Sequence, residues 1–127
     1  MKLTGPTPML RTWDLASSIA FYEQKLGFTC NRRSDEWGWA SLHRDDAEIM
    51  FAIPNAHDDA KSAAFTGSLY FRTDNVDALW ESWKDWARIC YPIENFDYGM
   101  REFAIYDNNG YLLQFGQPSE GVEKSET

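Results

Sequence analysis

The order of predicted secondary-structure elements in the first half of the 127-residue chain is repeated in the second half, and this internal repeat limits the folds that the chain can adopt. Apolar periodicity and turn residues predict the order strand, helix, strand, strand, strand over residues 3–60 and again over residues 67–117. Equivalent positions keep a near-constant spacing, since Asp14 and Asn75 are 61 residues apart and Met50 and Gln114 are 64 apart. The sequence therefore predicts one α+β domain over residues 1–118, in which two βαβββ modules form half-sheets that curl around a cleft.

The first half begins with a predicted edge strand, because Pro6 and Pro8 donate no backbone hydrogen bond. Asp14 is a suitable N-cap for the helix that follows, and Gly27 is a suitable C-terminal stop. A turn at residues 45–46 joins the last two strands. The predicted elements are a strand at 3–11, a helix at 15–26, and strands at 28–33, 37–43 and 48–53.

The second half repeats this order after a polar loop at residues 54–66. Asn75 caps a helix whose apolar positions include Trp80, Trp83 and Trp86, and a turn at 107–110 precedes the last strand. The predicted elements are a strand at 67–73, a helix from the cap to about 88, and strands at 89–93, 101–106 and 111–116. Residues 119–127 are polar and acidic, which predicts a disordered tail.

Alternation along the strands separates an apolar face from a mixed one. The apolar set is expected to pack on the helices and contains Ile49, Phe51, Ile53, Leu69, Phe71, Tyr111, Leu113 and Phe115. The opposite faces mix polar and aromatic side chains: Glu48, Met50, Ser68, Tyr70, Leu112 and Gln114, with Trp37, Trp39, Ser41 and His43 sharing one strand face. This mixture indicates a ligand cavity, and a solvated sheet face is the alternative.

Composition excludes several partners. With 12 basic and 20 acidic residues the net charge is −8, which disfavours nucleic acid and anionic membranes. The same charge favours a cationic ligand, or it simply keeps the protein soluble. Cys30 and Cys90 are too few for a disulfide framework, and no apolar run is long enough to span a membrane. We therefore expect a soluble, cytoplasmic protein.

The two halves carry motifs that resemble the vicinal oxygen chelate superfamily, which includes glyoxalase I, extradiol dioxygenases and bleomycin resistance proteins. The matching positions are Leu10, Asp14-Leu15, Ser18-Ile19, Phe21-Tyr22, Leu26-Gly27-Phe28, Gly99, Arg101-Glu102-Phe103, Asp107, Gly110 and Phe115. Bleomycin resistance proteins are the most similar group, through Lys2-Leu3-Thr4, Pro8, Arg44-Asp45-Asp46 and the run from Gly99 to Ala104. Met100 is one extra residue inside that run, and Asn108-Asn109 replaces an Asp-Pro-type turn.

The resemblance also bears on metal binding. The superfamily's metal enzymes take their ligands at positions that are Thr7, Met50, Ser68 and Gln114 in this chain, and none of these is His, Asp or Glu. A catalytic divalent metal normally needs about three such ligands, so we expect no metal and no other cofactor. His43 and His57 are the remaining metal candidates. Glu48 and Glu102 could carry acid–base chemistry if they are buried together, whereas neither cysteine has a recognisable His partner.

Bleomycin resistance proteins bind their drug without chemical change, so the resemblance implies an intertwined homodimer with a cleft at the subunit interface. In that group an N-terminal proline supports exchange of the arm, and Pro8 matches it. Trp39 and Tyr98 match the stacking aromatic residues of that group, whose rings stack on planar heterocycles and attract cations. The full set of predicted ligand-binding residues is Trp37, Trp39, Met50, Ser68, Tyr70, Tyr98, Phe103 and Gln114.

Three functions remain open from the sequence. The first is a metal-free protein that sequesters a planar or cationic antibiotic such as bleomycin. The second is an enzyme of the same superfamily, a lyase or oxidoreductase, with a relocated metal or a metal-free acid–base site. The third is a dimer that has lost its small ligand and binds another protein, for which the tryptophan-rich helix could be the surface.

Overall fold

The computed structural model describes residues 1–54 and 64–119 of the chain. It contains two compact units, Met1–Phe65 and Thr66–Thr127, and each has one helix and one four-stranded sheet. The predicted α+β fold of two βαβββ modules is confirmed. His57 lies outside the described residues, and so does the predicted tail apart from Ser119, which is buried.

The sheet of the first unit has the strand order β1-β4-β3-β2, with β1 parallel to β4 and the other pairs antiparallel. Its elements are β1 (Met9–Arg11), α1 (Leu15–Gln24), β2 (Thr29–Ser34), β3 (Trp39–Arg44) and β4 (Ala47–Ala52). The predicted cap forms, since the Asp14 carboxylate accepts a hydrogen bond from the Ser17 backbone N–H. Gly27 follows the helix with a φ of 76°, which suits glycine best.

Three predictions in this unit are wrong. The first strand has three residues rather than nine, and the two prolines before it cannot extend the ladder as donors. Strand β3 starts at Trp39, so Trp37 lies in a turn and does not share a strand face with it. Strand β4 ends at Ala52, and Ile53 is 41% exposed rather than buried against the helix.

The second unit repeats the architecture with the strand order β5-β8-β7-β6, in which β5 is parallel to β8. Its elements are β5 (Leu69–Arg72), α2 (Val76–Trp83), β6 (Arg88–Asn95), β7 (Met100–Tyr106) and β8 (Leu112–Pro118). Helix α2 ends at Trp83 and not near Arg88, because the backbone N–H groups of Trp86 and Ala87 both bond to the Trp83 carbonyl and close a turn. Strand β6 therefore begins one residue before its predicted start.

Each unit has its own aromatic core between helix and sheet. In the first unit Tyr22 is fully buried, with its ring centroid 5.4 Å from Phe28 and 5.0 Å from Phe51. In the second unit Trp83 lies 5.0 Å from Phe115 and 6.2 Å from Phe103. Trp83, the last residue of helix α2, is therefore buried in the core and is not available to a partner surface. Neither described helix is long and apolar enough to cross a membrane.

Candidate functional site

A cleft of about 400 Å³ lies on the mixed face of the second unit's sheet. Edge strand β5 supplies Tyr70 and Arg72, strand β7 supplies Met100 and Glu102, and strand β8 supplies Gln114. The remaining lining residue is Tyr98, from the loop before β7. Strand register brings these residues together, since Tyr70 is the Cα partner of Gln114, and Glu102 and Arg72 both pair with Gly116.

The Glu102 carboxylate is the centre of this cleft. Glu102 is 1% exposed, and each carboxylate oxygen accepts a hydrogen bond from a tyrosine. The Tyr70 hydroxyl donates to Oε1 at 2.8 Å, and the Tyr91 hydroxyl donates to Oε2. Gln114 Nε2 donates to the Tyr91 hydroxyl at 2.8 Å and lies 3.4 Å from Oε2. A buried carboxylate is stabilised in this way by neutral donors.

No positive charge neutralises this carboxylate within the described part of the chain. The ion pairs there join other groups, and none includes Glu102. Among the described residues, the hydrogen-bond donors to the Glu102 carboxylate are therefore tyrosine hydroxyls and an amide, and Arg72 lines the same cleft without bonding to it.

The tyrosines keep their protons at neutral pH. Burial raises the pKa of Tyr70 and of Tyr91, and the hydrogen bond to Glu102 raises both further. Partial burial and the nearby Glu102 carboxylate also raise the pKa of Tyr98. These hydroxyls are thus poor acids, and the first two are committed as donors to the carboxylate.

An aromatic wall stands beside the carboxylate. The Phe96 and Tyr98 rings are stacked, with centroids 5.5 Å apart and planes 11° apart. Tyr91 meets Phe96 edge to face at 5.3 Å, so the wall joins the hydrogen-bond network. Tyr98 is 65% exposed, which leaves a ring available to a flat ligand.

Gly116 makes room for the network. A Cβ atom at this position would lie 2.1 Å from the Tyr70 hydroxyl oxygen and 3.0 Å from the Glu102 Cβ. Real Cβ atoms do not approach so closely, so any larger residue must displace the Tyr70 ring. The site therefore depends on a glycine that does not itself line the cleft.

The mixed face of the first unit carries a different polar cluster. Glu48 accepts hydrogen bonds from Ser41 at 2.8 Å and from Thr7 at 3.2 Å, and His43 Nε2 lies 3.7 Å from it. The Ser41 hydrogen bond is the main cause that lowers the pKa of Glu48. A shallow cavity of about 630 Å³ is found beside His43, lined also by Gly27, Thr29, Asn31, Arg44 and Asp45.

The structure brings together four of the predicted ligand-binding residues. Tyr70, Tyr98 and Gln114 line the second unit's cleft, and the Ser68 hydroxyl is hydrogen-bonded to the Gln114 side-chain oxygen. Trp39 and Met50 belong to the first unit, where Met50 pairs with Met9 and the Arg32 guanidinium lies 5.7 Å from the Trp39 ring.

Two predicted ligand-binding residues lie elsewhere. Trp37 is 77% exposed in the turn before β3 and is not part of either cavity. Phe103 is fully buried, with Trp80 at 5.3 Å and Phe115 at 5.3 Å. Because side chains alternate along a strand, Glu102 faces the cleft and its neighbour Phe103 faces the helix.

The sequence interpretation missed the central role of Glu102 and the contribution of Tyr91. Surface exposure is the usual state of a glutamate, so the sequence alone does not indicate that Glu102 is buried. The alternation over β7 was the available signal, because it places Glu102 opposite the face that holds Phe103. Alternation does not indicate the position of Tyr91, because the β6–β7 register shifts both before and after this residue.

The residues at the superfamily's metal positions do not fit a divalent cation. Their donors are two hydroxyls, a thioether and an amide, and the oxygen and nitrogen of Gln114 are both engaged in hydrogen bonds. Within residues 1–54 and 64–119, no three His, Cys, Asp or Glu side chains are grouped as metal ligands would be. Both cysteines are free, and burial raises the pKa of Cys30 and lowers its reactivity.

Solved structures similar to this chain include two proteins linked to bleomycin. A bleomycin resistance determinant encoded on the transposon Tn5 is 27% identical, with a TM-score of 0.73 over 92% of this chain and 99% of the other. A bleomycin-binding protein complexed with bleomycin is 26% identical, with a TM-score of 0.70 over 92% and 100%. TioX from Micromonospora sp. ML1 shares the fold at 16% identity, with a TM-score of 0.74 over 91% and 99%.

A comparison with curated proteins returned no match. The family model that describes the Glyoxalase/Bleomycin resistance protein/Dioxygenase superfamily matches residues 6–115, which is most of the chain. The order of elements, the two similar sheets and this match agree. The chain therefore belongs to the glyoxalase/bleomycin resistance protein/dioxygenase superfamily.

Proposed function

We propose that this protein is a metal-free, cytoplasmic small-molecule binding protein of the bleomycin-resistance type, which sequesters a planar or cationic antibiotic such as bleomycin. The observation that carries the proposal is the cleft of the second unit, where a buried carboxylate lies beside the exposed ring of Tyr98. Flat aromatic surfaces bind planar heterocycles, and an unneutralised carboxylate favours a cation. The two bleomycin-related structures at 26% and 27% identity support the same ligand class.

Titration of the purified protein with metal-free bleomycin tests this proposal. Calorimetry and tryptophan fluorescence are followed together, and we expect saturable binding at micromolar drug. A matched control is Trp37→Ala, since this exposed turn residue lies outside the cleft and its removal should leave the affinity unchanged. Absence of saturable binding would remove bleomycin as the ligand.

The enzyme alternative is favoured by one observation, the buried Glu102 with its two hydroxyl partners. Such a carboxylate is a possible general base for a metal-free reaction. Metal analysis of protein purified without chelator addresses the other form of this alternative. Stoichiometric Ni, Zn, Mn or Fe would contradict a metal-free binding protein and support a relocated metal site.

We propose further that residues 1–118 act as one domain and that the binding species is an intertwined homodimer. The arm that contains Pro8 supports this proposal, because it lies on β4 through the three-residue pairing of β1, the Pro8 carbonyl on the Met50 N–H and the Thr7 hydroxyl on Glu48, and the arm of a second copy can make the same contacts. Light scattering after gel filtration should give a mass of about twice 14.7 kDa. Deletion of residues 1–8 should then yield monomer, whereas a monomeric full-length chain would contradict the proposal.

A further inference from the structure

The direction of the hydrogen bonds around Glu102 determines what the cleft can accept from a ligand. A tyrosine hydroxyl has one proton and two lone pairs. The protons of Tyr70 and Tyr91 both go to the carboxylate, and the Tyr91 oxygen also accepts from Gln114. Tyr70 is one of the cleft-lining residues, and the hydrogen bonds among the described residues use neither lone pair of its hydroxyl oxygen. Tyr70 therefore presents an acceptor to the ligand and has no proton left to donate.

The charge of Glu102 adds to this preference for a hydrogen-bond donor on the ligand. Glu102 Oε1 lies 2.8 Å from the Tyr70 hydroxyl oxygen, and none of the ion pairs among the described residues includes Glu102. In a partly buried site an unpaired negative charge is screened less than at the surface. A ligand group that is both positive and able to donate a hydrogen bond satisfies both features.

We propose that Tyr70 and Glu102 form a subsite for a protonated nitrogen, as in an amine, amidinium or guanidinium, attached to a flat aromatic ring that stacks on Tyr98. This inference rests on the proposed function and specifies its ligand class. Tyr70 is the contacting residue, and Glu102 is the residue that orients its hydroxyl and supplies the charge. Arg72 lines the same cleft, so preference for an anionic ligand is the competing result.

Three flat probes of similar size separate charge from shape. 9-Aminoacridine is a cation with N–H donors at neutral pH, acridine is neutral, and 9-anthracenecarboxylate is an anion. We expect wild-type protein to bind 9-aminoacridine at least about tenfold more tightly than acridine, the ratio typical of a charge-assisted hydrogen bond. Equal affinities, or a preference for the carboxylate, would overturn the subsite.

Variants then assign the preference to residues. Glu102→Gln keeps the side-chain shape and should weaken 9-aminoacridine binding about tenfold while acridine binding changes less than about twofold. Glu94→Gln is the matched control, because Glu94 is the cross-strand partner of Glu102 on β6 but does not line the cleft. Equal effects of the two variants would overturn the proposal, since diffuse charge would then explain the preference.

A second pair of variants covers the case in which Glu102→Gln does not fold. Tyr70→Phe removes only the hydroxyl and should also weaken 9-aminoacridine binding selectively. Tyr106→Phe is its control, because Tyr106 lies at the other end of β7 with its hydroxyl on Cys90. An unchanged probe ratio in Tyr70→Phe would overturn the role of the hydroxyl.

The bleomycin titration distinguishes the two proposals. Saturable bleomycin binding together with equal affinity for 9-aminoacridine and acridine overturns the cation subsite alone. Failure of bleomycin and of all three probes to bind overturns the proposed function, and the subsite with it. A strong 9-aminoacridine preference without bleomycin binding supports the subsite and changes the identity of the drug.

Discussion

Replacing Gly116 with alanine tests whether the hydrogen-bond network around Glu102 depends on the absence of a side chain at this position. The added Cβ would lie 2.1 Å from the Tyr70 hydroxyl oxygen and 3.0 Å from the Tyr70 Cζ. The hydroxyl must therefore move by more than about 1 Å to reach an ordinary contact distance. A displacement of this size breaks its 2.8 Å hydrogen bond to Glu102.

The expected change in the free energy of unfolding follows from the loss of the hydrogen bond between Tyr70 and Glu102. A hydrogen bond to a charged group contributes about 1.5–3 kcal/mol, and a buried acceptor that loses its partner is costly. Tyr70 is 39% exposed on an edge strand, so its ring can swing toward solvent and relieve the clash without moving the backbone. We therefore expect Gly116→Ala to lower the free energy of unfolding by about 2 kcal/mol. Backbone strain does not contribute, because the φ angle of Gly116 is not positive.

Equilibrium urea unfolding followed by tryptophan fluorescence measures this change, and the slope with urea should stay constant. The matched control is Gly5→Ala, where an added Cβ meets nothing within 4 Å and the free energy should change by less than about 0.5 kcal/mol. A double-mutant cycle with Tyr70→Ala isolates the cause. In that background the cost of Gly116→Ala should fall by at least about 1 kcal/mol. The same cost in both backgrounds would refute the reasoning.

Two further predictions test the other assignments. Phe103→Ala should lower the free energy of unfolding by about 3–5 kcal/mol, because it empties the core beside Trp83. If the variant stays folded, its affinity for bleomycin should match wild type, and a selective loss of binding would return Phe103 to the ligand site. The depressed pKa of Glu48 stabilises the protein fully above about pH 4.5, and this contribution is lost as the pH falls through the lowered pKa. Glu48→Gln should therefore flatten the fall of the urea midpoint below pH 4.5, and an unchanged slope would contradict the role of its Ser41 bond.

Sequence patterns predicted the order of elements because each depends on local chemistry. Asp14 and Asn75 both act as N-caps, through hydrogen bonds to the backbone N–H three residues later. Tertiary packing overrode local preference where the prediction failed. Residues 84–88 have helix-compatible composition, but Arg88 pairs with Tyr106 in the β6–β7 ladder and so ends the helical segment early.

The candidate site was harder to predict than the fold, because it depends on register between strands that are distant in sequence. Tyr70 reaches Glu102 across 32 residues, and this contact needs β8 between them to carry a glycine. Alternation within one strand can place Glu102 on a face, but it cannot identify the partner that will cover it. The Glu102 network therefore follows from the assembled sheet and not from any single motif.

The repeat explains why one scaffold carries two different chemistries. Met50 and Gln114 occupy equivalent positions, since each lies between a parallel edge strand and an antiparallel strand: Met50 pairs with Met9 and Ser41, and Gln114 pairs with Tyr70 and Ala104. Trp39 in the first sheet corresponds to Glu102 in the second. Trp39 pairs with Ala52, two residues after Met50, and Glu102 pairs with Gly116, two residues after Gln114. One backbone position thus holds an aromatic ring in one unit and a buried carboxylate in the other. Because the strand order and the directions of the strand pairs are the same in both, ligand recognition can change at these positions while the fold is retained.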